Sequence, residues 1–209
     1  EAYTVCATGA YLGHQVSGGY ATYHWKHDYP VSPYLIHFAA SNYVTLSEWY
    51  HASATDSVEL LYFVWPSDTI YTQNAFSLMT DMMYFYDSLF GDYPFERYGM
   101  DVIPGFYYGG MEHQTLATIH RDWLTNWVPD VFGMAHELSH MWWGDMVTCF
   151  GWENVWLNEG FGTYCDALYL GRVQGHQAFV DTMKLRRNVY INVIDKSPVR
   201  CSCPCPSRL

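Results

Sequence analysis

The apolar residues of this chain change their repeat once, near residue 66, and that change limits the fold before any motif is read. Upstream, short runs rich in aromatic and β-branched residues lie between turn signals, at residues 2–8, at 21–25 after Ser17-Gly18-Gly19, at 42–50 and at 58–65. These are strands. Asp28-Tyr-Pro-Val-Ser-Pro33 reads as a turn, and 34–40 is a short apolar segment open to strand or helix. Pro66-Ser67-Asp68 closes the β region and is placed to cap the next element, since an Asp or Ser oxygen satisfies free amides at a helix start. From about 69 to 90, Phe76, Met79, Met83 and Tyr86 recur at three- and four-residue steps, the pattern of one helix with one buried face ended by Gly91. Residues 99–104 read as a strand entering the glycine-rich Gly105-Phe-Tyr-Tyr-Gly-Gly110, and helices are expected over 131–143, 153–170 and 177–189. Strands followed by helices make an α+β chain: a β-sheet remnant over 1–65, then a mixed sheet-plus-helix unit over 66–209. Neither a repeat nor a low-complexity linker separates them, so the two are expected to pack directly.

Composition removes several kinds of function. Among 209 residues, 10 basic and 21 acidic side chains leave a net charge of −11 with no basic cluster, so nucleic acid is excluded as a partner. The longest apolar run, 60–65, is far short of a bilayer span, so no transmembrane segment is expected. The chain opens on Glu1-Ala-Tyr-Thr, neither a signal peptide nor a native start, and is expected to begin within a longer protein. With 19% aromatic and only 15% charged residues, the composition leans toward an extracytoplasmic or secreted protein. Cys149 and Cys165 are open to pairing or to life as buried thiols. Cys201, Cys203 and Cys205 stand among prolines in an atypical tail, 197–209, whose spacing suits a metal poorly.

His136-Glu137-Leu138-Ser139-His140 carries the chemistry. On a helix, residues four apart share a face, so both imidazoles reach one ion, while Glu137 projects beside it where a water can be held. One zinc per chain is the natural occupant, because nitrogen and oxygen donors in a tetrahedron with one open position suit it. A third donor comes later in the chain: Glu159 lies 19 residues after His140 on the next expected helix, and two antiparallel helices bring it against the pair. Asp145 and Asp166 are candidates to receive the outward N–H of a ligating imidazole. The remaining histidines, His24 and His27 among them, need no chemistry, and Asn158 reads as structural.

The run from His136 to Thr148, followed by Trp156-Leu-Asn-Glu-Gly-Phe-Gly-Thr-Tyr164, resembles the M1 family of zinc aminopeptidases in the gluzincin clan. Gly109-Gly110-Met111-Glu112-His113 resembles the family's Gly-x-Met-Glu-Asn exopeptidase motif, with His113 where the family has Asn. Phe90-Gly-Asp-Tyr-Pro-Phe-Glu-Arg-Tyr98 resembles the approach to its active-site strand, and residues 20–43 the end of its N-terminal β domain. The resemblance implies a thermolysin-like catalytic unit, truncated at its C-terminal end, that removes N-terminal residues from peptides. It implies His136, His140 and Glu159 as zinc ligands and Glu137 as general base and later proton donor. Glu112 would hold the substrate's free α-amino group, with Gly109, Gly110, Met111 and His113 completing the peptide-binding edge. A tyrosine that stabilises the oxyanion in the family would fall beyond Leu209, and Tyr190 lies too close to Glu159 to replace it. Losing such a donor costs about 10²–10³ in rate, so this chain alone is expected to be a weak catalyst or none. Two other readings share the zinc site: a related hydrolase acting on internal peptide bonds or epoxides, and a zinc-supported module that binds peptides without turnover.

Overall fold

The computed structural model describes residues 3–126 and 130–194. Its strands are β1 (Thr4–Ala7), β2 (Ala10–Ser17), β3 (Tyr20–Lys26), β4 (Phe38–Ser41), β5 (Val44–His51), β6 (Ser57–Val64), β7 (Arg97–Ile103), β8 (Gly110–Met111) and β9 (Ala117–His120). Its helices are α1 (Thr69–Ala75), α2 (Met79–Phe90), α3 (Arg121–Thr125), α4 (Val131–Ser139), α5 (Trp156–Gln174) and α6 (His176–Val189). Two compact units divide the chain, Glu1–Tyr169 and Leu170–Leu209. The second contains the end of α5, all of α6 and a π-helical turn at Tyr190–Ile194. The tail residues Cys201, Cys203 and Cys205 lie outside the described residues.

The first unit is organised by a five-stranded mixed sheet in the order β5-β6-β7-β9-β8. β6, β7 and β9 run parallel, and the outer strands β5 and β8 are antiparallel to their neighbours. β7 is buried almost throughout, as a central parallel strand must be when both of its faces are covered. On one face Leu60, Tyr62, Tyr98, Met100, Val102 and Ile119 pack with Met79, Met82, Met83 and Tyr86 of α2 and Met134 and Leu138 of α4. On the other, Phe63 and Leu116 meet Cys6 and Tyr43 from the N-terminal strands. Each of these buried side chains contributes about 1.5–3 kcal/mol relative to exposure, so the sheet fixes α4 firmly beneath β8.

Four readings change or are completed. The sheet crosses the expected boundary at 65/66, because β6 pairs in parallel with β7 from Glu59↔Arg97 to Phe63↔Asp101; β5 and β6 therefore share one sheet with β7, β9 and β8. The single helix expected over 69–90 is two, broken at Phe76–Leu78, where the Ser77 hydroxyl donates to the Asn74 carbonyl and competes with helical bonding. The undecided segment 34–40 is the end of a 3₁₀ turn, Pro33–Leu35, followed by β4, which pairs with β1. β2 was not expected; it forms a hairpin with β3 across Gly18 and Gly19, both at positive φ, the backbone that matches the twist of a two-residue turn. Cys149 and Cys165 are both free thiols, and burial pushes that of Cys165 up to about 12. No helix among the described residues is long and apolar enough to cross a membrane.

Candidate active site

α4 is capped at its start by Asp130, whose carboxylate accepts from the Gly133 amide at 2.8 Å, and at its end by His140. That span puts His136 and His140 on the face turned toward the first turns of α5. Their Nε2 atoms are 3.0 Å apart, and Glu159 Oε2 lies 3.3 Å from His136 Nε2 and 3.9 Å from His140 Nε2. Two imidazole nitrogens and a carboxylate oxygen thus converge on one point. Donors arranged tetrahedrally about 2.05 Å from an ion stand about 3.3 Å from one another, which the three separations bracket. The residues fit a zinc ion. Gly162, one turn beyond Glu159, makes the approach possible: a Cβ there would stand 2.7 Å from His140 Nε2 and 2.9 Å from His136 Cε1.

The far sides of the imidazoles are also held. His136 Nδ1 lies 3.4 Å from Asp166 Oδ2, as a carboxylate seven residues after Glu159 on the same helix face allows. His140 Nδ1 instead meets the Trp143 carbonyl oxygen at 2.9 Å. Asp145 is therefore not the group behind His140: its carboxylate is buried with no hydrogen-bond partner among the described residues, and its carbonyl accepts from Gln114 Nε2. Burial, with the charges of Glu112 and Glu137, raises the Asp145 pKa well above the ordinary carboxylate range.

A cavity of about 390 Å³ opens onto this cluster, lined by Tyr108, Gly110, Met111, Glu112, His136, Glu137, His140 and Glu159. Glu137 is buried against the Gly110 backbone, where a Cβ would fall 2.0 Å from its Oε1. Burial raises Glu137 to about 8; the nearby Glu112 and Glu159 add to the rise and His136 opposes it. Burial lowers His136, but Asp166 and Glu159 outweigh it and hold its imidazolium up to about 10. Glu159 falls below the usual range through its bond to His136. Where three carboxylates face two imidazoles, the site favours a positive charge at its centre.

β8 supplies the opposite wall. It is the edge strand of the sheet, antiparallel to β9, and Glu112 directly follows it, 4% exposed. Gly110, Met111 and Glu112 line the cavity, whereas Gly109 and His113 do not. Gly109 sits at φ +84 against the Trp123 ring, and its carbonyl accepts from the His120 amide at 2.6 Å. His113 turns into the sheet, stacked on His37 at 4.1 Å with Nδ1 3.1 Å from Thr118 Oγ1, and burial beside His37 lowers it to about 3. Gly109, just before β8, is thus held by main-chain pairing with β9, and His113, just after it, is held by His37 and Thr118. A residue read as structural stands in the site instead. Asn158 Nδ2 donates to Glu112 Oε1 at 2.8 Å.

Residues 73–201 match the Peptidase family M1 domain. The chain belongs to peptidase family M1. Among curated members of M1-type enzymes, it is 27% identical to endoplasmic reticulum aminopeptidase 2 of Bos taurus over 91% of this chain and 20% of that protein. It is 33% identical to leukotriene A-4 hydrolase of Xenopus laevis over 54% of this chain and 20% of that protein. The family fold is shared with the M1 zinc metallopeptidase of Deinococcus radiodurans, solved as a mutant bound to a Tyr-Ser-Ala substrate: TM-score 0.77 at 21% identity, over 91% of this chain and 43% of that one. The M1 chain described here thus spans about a fifth of the length of the curated relatives named and less than half of the solved structure.

Proposed function

We propose that this M1 chain carries the zinc site of an aminopeptidase, with His136, His140 and Glu159 as ligands. The convergence of their three donor atoms at tetrahedral separations carries the reading. A zinc ion held there supplies a Lewis acid that polarises a peptide carbonyl and acidifies water.

The chain's own residues do the rest. The outer edge of β8, which pairs with no strand among the described residues, receives an extended peptide backbone, as sheet edges do, with Gly110 allowing close approach. Glu112 pairs with the substrate's ammonium, so the scissile bond is the one after the first residue. Glu137, buried within reach of the same cavity, takes a proton from the attacking water as its oxygen bonds to the carbonyl carbon. As the C–N bond breaks, Glu137 returns that proton to the leaving nitrogen. Water is consumed, and a free amino acid and a shortened peptide are released.

The test compares leucine 7-amido-4-methylcoumarin with its N-acetyl derivative at high concentrations of the zinc-loaded protein and over long incubations, so that the slow turnover expected of this chain is still read above background. Hydrolysis of the free amine alone, lost by about 10²–10⁴ in Glu137→Gln with zinc retained, is the expected result. Equal hydrolysis of both substrates would assign the site to a different zinc hydrolase. Peptide binding without turnover, indifferent to Glu137→Gln, would make it a binding module.

A further inference from the structure

Asn158 is 2% exposed and immediately precedes Glu159 in the first turn of α5. Its amide nitrogen faces two acceptors, Glu112 Oε1 at 2.8 Å and the Tyr34 hydroxyl at 3.4 Å. With the amide turned the other way, its oxygen would oppose a carboxylate, so the donor orientation is the one the pocket selects. Its oxygen is buried without a partner among the described residues, packed against Gly144 so closely that a Cβ there would lie 2.3 Å away. Gly144 also holds φ +134, a backbone that side chains rarely adopt. The turn after α4 is thus notched to admit Asn158, at the cost of an unsatisfied oxygen. A residue that served packing alone needs no such notch.

Among the described residues Glu112 has no cationic partner in contact, and Asn158 is its hydrogen-bond donor. A carboxylate oxygen free to rotate presents its lone pairs to a substrate in many directions; one oxygen pinned at 2.8 Å leaves the other to face the cavity. Because Asn158 and Glu159 share a helical turn, the same turn that carries a metal donor also sets the amine-binding carboxylate.

We propose that Asn158 is a positioning residue for amine recognition: its amide fixes the Glu112 carboxylate relative to the metal site, so that a substrate's free N-terminus is read at a set distance from the ion. This rests on the reading of Glu112 as the amine-binding group.

L-leucine hydroxamate and N-acetyl-L-leucine hydroxamate test it, titrated calorimetrically into the zinc-loaded protein. Both carry the same metal-binding group, and only the first carries an ammonium. The parent is expected to favour the free amine by at least about tenfold, the scale of one charge-assisted contact. In Asn158→Leu, similar in size but without a donor, that preference falls to about threefold or less, while affinity for the acetylated ligand and zinc content stay unchanged. Asn158→Ser repeats the measurement with a small polar side chain should the leucine variant not accumulate, and the same loss is expected. An unchanged preference in the variants overturns the proposal, and so does an equal fall for both ligands, which marks Asn158 as structural. A parent that fails to distinguish the ligands refutes amine recognition by Glu112, and the proposal falls with it.

Discussion

Adding one methyl group at Gly162 separates the metal site from the fold. Gly162 is buried within α5, where replacing glycine by alanine normally stabilises a helix by about 0.5–1 kcal/mol. A Cβ at this position would stand 2.7 and 2.8 Å from His140 Nε2 and Cε1 and 2.9 Å from His136 Cε1. These contacts are roughly 0.5–0.8 Å inside ordinary separation, so both rings must move by about that distance. Metal–ligand lengths tolerate only about 0.2 Å. Gly162→Ala is therefore expected to shift the melting temperature of the metal-free protein by no more than about 4 °C in either direction, the helix gain being offset by displacement of the rings, yet to weaken zinc binding by at least about 100-fold. Differential scanning calorimetry of the chelator-treated protein and competition with a zinc-responsive dye measure the two effects. A variant that binds zinc as tightly as the parent would refute the placement of the imidazoles against α5. A metal-free variant much less stable than the parent would show that the glycine serves packing and not the site.

Asp166→Ala removes the carboxylate 3.4 Å from His136 Nδ1 and is expected to lower zinc affinity about 10–100-fold, read by the same competition; unchanged affinity would show that His136 needs no support there. Asp68, buried beside Arg121 and bonded to its guanidinium, has a carboxyl held below the usual range chiefly by that bond. A depressed folded pKa contributes stability above the unfolded value of about 3.9 and loses it as pH falls through the folded value. Asp68→Asn is thus expected to cost about 1 kcal/mol in urea unfolding at pH 7 and nearly nothing at the lowest pH at which the fold persists; an equal cost at both would locate its effect in packing.

The sequence made the candidate metal ligands legible because helical geometry is local. His136 and His140 are related by one turn, and Glu159 and Asp166 by two, so spacing alone placed each pair on one face. The long apolar periodicity of α2 and the cap at Asp130 were equally local signals. What stayed hidden depends on contacts between distant segments. The parallel pairing of β6 with β7, which moves β5 and β6 into the main sheet, joins residues nearly 40 positions apart. The hydrogen bond from Asn158 to Glu112 spans 46. β2 lacked an alternating pattern because most of it is exposed and it carries a bulge between Tyr11 and Gly13. His113 was expected at the peptide-binding edge from its motif and Asp145 as a support for an imidazole, yet His113 stacks on His37, and the turn after α4 buries the Asp145 carboxylate with no hydrogen-bonding partner among the described residues. Gly144, unremarked in sequence, marks that turn through its positive φ; a glycine two residues before Met146 was the one available signal that backbone there approaches another element closely.

The zinc content of the purified chain, measured by plasma emission spectroscopy beside Glu159→Ala, tests the central claim most directly. About one zinc per chain in the parent, lost in the variant after dialysis against dilute chelator, is the predicted result. A parent that holds no zinc, or a Glu159→Ala protein that retains it as firmly as the parent, would contradict the three-ligand site.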